Sequence, residues 1–397
     1  LDFSYAPEGE ELSSLMVETS QTHRAELEHV PSAADFADAI SDDPASAGLL
    51  SESEVESLLR GHAAMETVSK EQAQSDVSLL FRTLQSAYGA YEYFGQEKFD
   101  AAEDAVTQWL SSQDDEIKVS ALGEKLQESL AFMLAHDAHA VIYEPAAEEI
   151  EAQVRYEYFF ADGFYFSKDV NGSYYMVNDG ERWTLSSFSD EHVSVQPTLL
   201  QDGRIVYQPT LFALRKDAVQ SSVTLKNSSG KAKIYRLDWT ESQPLDVDLG
   251  TLDYRLIQED GLTYVSLRSF VSGTYDNMLA RYAREGAKAR GSKAVIYDLR
   301  GNVGGSDSWP RKWIQSFLGT QNSIETSMLY AQKNSALFAA ENSESLLPED
   351  EGTCFAREVH GTWYENDIPI IVLVDDHCGS SGEGAVQLLK TLDNVLI

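Results

Sequence analysis

The sequence predicts an α/β fold: an α/β core in its last third, preceded by a helical domain and a β-rich domain. Three observations carry this. Between residues 70 and 140, Val77, Leu80, Phe81, Leu84 and Tyr88 recur at the i, i+3, i+4, i+7 spacing of a buried helical stripe, and Leu122, Leu126, Leu130 and Met133 form a second one. After Pro145 the segments 156–166, 173–177, 204–207 and 223–225 are aromatic or β-branched. Asp-Gly, Asn-Gly and Ser-Gly pairs fall between them, which predicts antiparallel strands joined by tight turns. From residue 262 onward, strand patterns at 262–267, 294–299 and 368–374 alternate with helix patterns at 275–290, 309–317 and 382–391. Residues 294–299 are almost continuously apolar, as in a strand covered on both faces, and the alternation predicts right-handed β-α-β units.

The expected divisions are a polar lead-in at 1–69, a helical domain at 70–145, a β-rich domain at 146–248 and the α/β core at 249–397. There are no internal repeats and no low-complexity tract.

Composition narrows the function. The 397 residues are 43% hydrophobic and 10% aromatic, enough for several cores. Lys and Arg number 30 against 65 Asp and Glu, a formal charge of −35. Nucleic-acid binding needs clustered cations to displace counterions, and anionic membrane surfaces need the same. Both are therefore excluded as expected partners. No apolar run is long enough to span a bilayer. The chain starts at Leu1 behind a Ser, Ala, Asp and Glu-rich stretch, so an extracellular or cell-envelope protein with its signal peptide removed is expected. Cys354 and Cys378 leave a disulfide or two free thiols equally open.

Two segments carry chemistry. Asp298-Leu299-Arg300-Gly301-Asn302-Val303-Gly304-Gly305 follows a predicted buried strand, at the carboxyl end where α/β sheets place ligands. Its glycines let the backbone approach a ligand and offer N–H groups, as an oxyanion hole requires. A phosphate loop would need a Lys-Ser/Thr or dinucleotide spacing, and neither is here. The second segment, Cys378-Gly379-Ser380-Ser381-Gly382-Glu383, lies between a strand and a helix. A serine there can act as a nucleophile beside helix N-terminal N–H groups, or simply cap the helix. Spacing alone does not separate Ser380 from Ser381.

Together, Asp-Leu-Arg-Gly-Asn-x-Gly-Gly and Ser-Ser-Gly-Glu resemble the serine peptidases that include the C-terminal processing (tail-specific) proteases and the tricorn core. The segment 261–270 is similar to the strand opening their catalytic domain, and 134–139 to the end of their helical domain. The resemblance implies a crotonase-like α/β core and an acyl-transfer endopeptidase with no cofactor, acting on peptides or unfolded proteins. It implies Ser380 as nucleophile, with Ser381 and the pair Gly304 and Gly305 supplying the oxyanion hole. The implied base is His139, as in tricorn-type members, or a lysine beyond Ile397, as in processing proteases, in which case the core stops short of its C-terminal end. His136 and His377 are further histidines in reach by sequence. Residues 146–248 are expected to be a diverged PDZ domain or an unrelated β module. No Cys, His and carboxylate cluster has metal-ligand spacing. The alternative reading is a non-catalytic peptide- or ligand-binding protein that keeps the peptidase fold; a thioester-directed acyl enzyme is disfavoured by the charge.

Overall fold

The apolar stripe through Val77 and Phe81 becomes the helix Lys70–Ala87, whose N-terminus is capped by Ser69, its hydroxyl accepting from the Gln72 N–H at 3.1 Å. The computed structural model describes residues 12–60, 65–137, 139–142, 156–161, 163–178, 180–200, 204–214, 221–241, 254–273, 276–342, 350–375 and 377–397. They fall into two compact units, each described by itself.

One unit comprises Glu28–Arg155 and Ser327–Gly361. Helices Lys70–Ala87, Gln96–Ser111 and Val119–Ser129 bury Val77, Phe81, Phe99, Val106, Leu110 and Leu122 around a common core. The strands Met328–Lys333 and Cys354–Val359 pair antiparallel in this unit. Nothing in the sequence pattern had placed this ribbon with the helices. Lys333 anchors it by donating from Nζ to the Gln85 carbonyl at 2.8 Å.

The other unit comprises Leu1–Leu27, Tyr156–Thr326 and Thr362–Ile397. Its β-rich part holds two sheets of five and four strands, antiparallel throughout, with Phe166, Trp183, Tyr207, Val223 and Leu225 buried. The polar N-terminal stretch hides a helix, Leu12–Glu28. Its buried positions include Ser20 and His23 besides Leu15, Met16 and Leu27, so the stripe is too polar to read as apolar periodicity.

The functional sheet has five strands in the order Tyr254–Glu259, Leu262–Leu267, Ala294–Asp298, Ile370–Leu373, Val395–Leu396. The first two form a hairpin through Asp260 and Gly261, both at positive φ, as a two-residue turn requires. The remaining pairings are parallel. Helices Asp276–Ala289 and Ser308–Leu318 cross so closely that a Cβ at Gly286 would stand 2.3 Å from the Trp313 carbonyl oxygen. Beneath them Tyr282, Tyr297, Trp313 and Phe317 fill the core.

Candidate active site

Strands Ala294–Asp298 and Ile370–Leu373 run parallel with Asp298 opposite Leu373, so the turns after them emerge side by side at the carboxyl end of the sheet. Two hydrogen bonds join those turns directly. The Gly379 N–H donates to the Asn302 carbonyl at 2.9 Å, and the Gly301 N–H donates to Asp375 Oδ1 at 2.8 Å.

Ser380 sits at the N-cap of the helix Ser381–Leu389 with φ 52° and ψ −121°. A non-glycine residue at positive φ outside the left-handed helical well is strained, and such strain persists only where the surrounding structure fixes it. A serine held in a sharp strand-to-helix turn has its hydroxyl lifted clear of the backbone. Here that hydroxyl caps nothing and has no hydrogen-bond partner among the described residues. Ser381 is 7% exposed, with its side chain in the first turn of the helix. Geometry thus separates two serines that spacing could not.

The glycines have distinct tasks. Gly304 (φ 100°) lies against the Ser380 turn, and Gly305 (φ 137°) lies against Phe270, where a Cβ would fall 2.1 Å from the Phe270 carbonyl carbon. The Phe270 N–H donates to the Gly304 carbonyl at 2.7 Å, and the Ser306 N–H to the Phe270 carbonyl at 3.0 Å. The Gly304 N–H is consumed by Asn302 Oδ1 at 2.9 Å. The N–H groups of Gly305 and Ser381 have no acceptor among the described residues. Of the expected pair, only Gly305 has a donor to offer an oxyanion.

Below the loop, buried Asp298 accepts from Arg300 Nε and Nη2 at 2.9 Å each, from Arg268 Nη1 at 3.2 Å and from the Tyr264 hydroxyl at 2.7 Å. Arg268 also donates to the Arg300 carbonyl. Burial pushes the Asp298 carboxyl up, but the Arg300, Arg268 and Tyr264 hydrogen bonds outweigh it and hold the group well below the usual carboxylate range. Asp298 and its arginines therefore brace the loop rather than exchange protons. The sequence showed Asp298, Arg300 and Asn302 only as parts of a motif, without the contacts that brace the loop. A small polar side chain between glycines just after a buried strand was the available signal.

His139 lies in the helical unit with its side chain 70% exposed. Its backbone N–H donates to Asp137 Oδ1 at 2.9 Å, and Asp137 Oδ2 accepts from the Tyr88 hydroxyl at 2.8 Å. Burial, then the Asp137 hydrogen bond, pushes the Tyr88 phenol far above its ordinary value. Asp137 is thus tied to both His139 and Tyr88. Lys390 is half-buried and paired with Glu26. Cys354 and Cys378 are both free thiols, and burial pushes Cys378 up to about 12. Among the described residues no cluster of His, Cys, Asp and Glu could hold a metal, and no helix is long and apolar enough to cross a membrane.

A strained serine between strand and helix, facing a glycine loop with a free N–H, defines the class of serine hydrolases. Residues 261–397 match the model of Peptidase family S41, a family of serine peptidases. Among solved structures the chain is similar to a serine-to-alanine mutant of CPAF, at 10% identity over 83% of each chain with a TM-score of 0.39. It is also similar to the photosystem II D1 C-terminal processing protease, at 13% identity over 82% of this chain and 80% of that one, with a TM-score of 0.30. No curated protein matches the chain.

Proposed function

We propose that the chain is an endopeptidase that cleaves peptides or unfolded proteins by acyl transfer through Ser380. The observation that carries this is the strained Ser380 backbone, φ 52° and ψ −121°, at the start of the helix Ser381–Leu389. Ser380 Oγ attacks the scissile carbonyl carbon while its proton passes to the base. The Ser381 and Gly305 N–H groups receive the resulting oxyanion. The tetrahedral species collapses, the amine leaves with the proton, and water then hydrolyses the acyl-enzyme by the same route. We assign the base to His139 on the family resemblance; histidine is the side chain that most often takes the proton of an attacking serine. The parallel strands around Asp298 and Leu373 are consistent with a crotonase-like core. An extracellular or cell-envelope setting, where an acidic and highly soluble surface is of use, completes the reading.

The test is Ser380→Ala in the full chain, assayed for hydrolysis of an unstructured peptide and for labelling by a serine-directed phosphonate. Both should disappear. Hydrolysis at the wild-type rate would remove Ser380 from the mechanism. A wild-type chain that binds peptide but neither cleaves nor labels would instead be a peptide-binding protein on a peptidase fold.

A further inference from the structure

Asn302 is fully buried, 0% exposed, in the middle of the glycine loop, yet its contacts reach three separate segments. Its Nδ2 donates to the Leu267 carbonyl at 2.8 Å, at the end of the strand Leu262–Leu267. Its Oδ1 accepts the Gly304 N–H at 2.9 Å. Its own carbonyl accepts the Gly379 N–H, one residue before Ser380, at 2.9 Å. The helix after Ser380 comes equally close, because a Cβ at Gly382 would stand 2.8 Å from the Asn302 carbonyl oxygen and 3.3 Å from Oδ1. One buried residue therefore joins three places: its side-chain amide ties the end of a strand to the glycine loop, and its own carbonyl ties that loop to the Ser380 turn.

We propose that Asn302 is a positioning residue for the Ser380 reaction, setting the glycine loop against the nucleophile turn so that the Gly305 and Ser381 N–H groups meet the same oxyanion. This rests on the reading of Ser380 as nucleophile. By holding the Gly304 N–H, Oδ1 turns that amide away from the substrate and fixes the peptide plane that leads into Gly305. By holding the Leu267 carbonyl, Nδ2 fixes the same loop to the sheet. An amide is the side chain suited to this position, since it must donate to one backbone group and accept from another within one short reach. The hydrogen bonds are buried, so losing either partner leaves a polar backbone group unsatisfied beside the reacting atoms.

The role is separable from simple fold maintenance. In full-length Asn302→Ala, kcat should fall by about 100-fold, the scale of losing or misplacing one oxyanion donor, while KM stays within about threefold. Affinity for a peptide boronic acid, whose tetrahedral adduct uses the oxyanion donors, should fall with kcat. Amide exchange should accelerate at Gly304 while 294–298 stays protected. Asn302→Asp, which keeps the acceptor for Gly304 and loses the donor to Leu267, should fall between the two and retain Gly304 protection; it is also the second variant if the alanine chain does not fold. The proposal is overturned if kcat stays at the wild-type level while Gly304 exchange accelerates. It is equally overturned if the lost activity follows a loss of protection across 294–298 in both variants. If Ser380→Ala abolishes hydrolysis but Asn302→Ala does not slow it, only this proposal falls; if Ser380→Ala remains active, both fall.

Discussion

Gly304 packs directly on Ser380: a Cβ at Gly304 would lie 2.6 Å from the Ser380 Cβ, 2.9 Å from the Gly379 carbonyl oxygen and 3.0 Å from the Ser381 nitrogen. No side chain fits that gap, and φ 100° is itself a conformation that L-residues avoid. Gly304→Ala is therefore expected to push the loop off the Ser380 turn. The backbone strain alone is worth about 1–3 kcal/mol. Peptide hydrolysis and phosphonate labelling should drop together by at least about 100-fold, the scale of one lost oxyanion donor. Thermal unfolding measured beside them would show a shift of a few degrees rather than loss of the fold. Labelling at the wild-type rate would contradict the packing.

Asp298 supplies a prediction about acid. Its folded-state pKa lies below its unfolded value, so the stabilisation it brings is present above about pH 4, the unfolded carboxyl pKa, and is lost as pH falls toward the folded value. Asp298→Asn leaves Arg268, 7% exposed, facing a neutral amide. Breaking a buried pair in this way costs about 3–5 kcal/mol. The variant should be less stable than wild type at pH 7, and the gap should narrow as pH falls below 4. Denaturant melts at pH 7, 5 and 3 measure this. A constant gap across the series would mean that Asp298 is not ionised against its arginines.

What could be read from residues alone follows the strength of each local signal. Val77 and Phe81 sit in a pattern whose period fixes both the helix and its buried face, and the run from Ala294 to Asp298 is short, apolar and β-branched enough to mark a strand. The serine turn and the glycine loop were legible as turns because glycine and serine commonly end strands and start helices, and only the pairing of the two motifs pointed to chemistry. Asn302 was not, because its three partners come from residues 267, 304 and 379, and no local pattern reports contacts of that span. The helix Leu12–Glu28 escaped for a related reason. Ser20 is buried there because its hydroxyl accepts from the Asn394 N–H at 2.8 Å, a partner at the other end of the sequence.

His23, on that same helix, gives a second pH test with a different window. It is buried, and burial first, then the Lys390 charge, lowers its pKa from 6.5 to about 4, with Glu26 opposing. The folded value is the lower one, so the unfolded chain takes up the proton first. Stability is full above about pH 6.5 and declines as pH falls toward 4, by up to about 3 kcal/mol. His23→Gln, which cannot charge, should remove the part of the acid sensitivity lying between pH 6.5 and 4. Parallel thermal melts of wild type and variant at pH 7, 5.5 and 4.5 would show converging or parallel curves. Parallel curves would exclude His23 as the source.

The proton acceptor is the remaining test. His139 is held through its backbone N–H by Asp137, and Asp137 is in turn held by the Tyr88 hydroxyl at 2.8 Å. If His139 takes the Ser380 proton, His139→Ala should lower kcat to nearly the level of Ser380→Ala, since groups that act as one unit do not contribute additively. The double variant should then be no worse than either single one. Tyr88→Phe, which removes one restraint on Asp137 and leaves the ring, should reduce kcat by only about tenfold, as expected of a positioning contact worth about 1.4 kcal/mol. The same series separates the competing base. Full activity in His139→Ala, with labelling of Ser380 intact, would move the role to a lysine and make the Tyr88–Asp137–His139 chain a structural tie at the end of the helical unit.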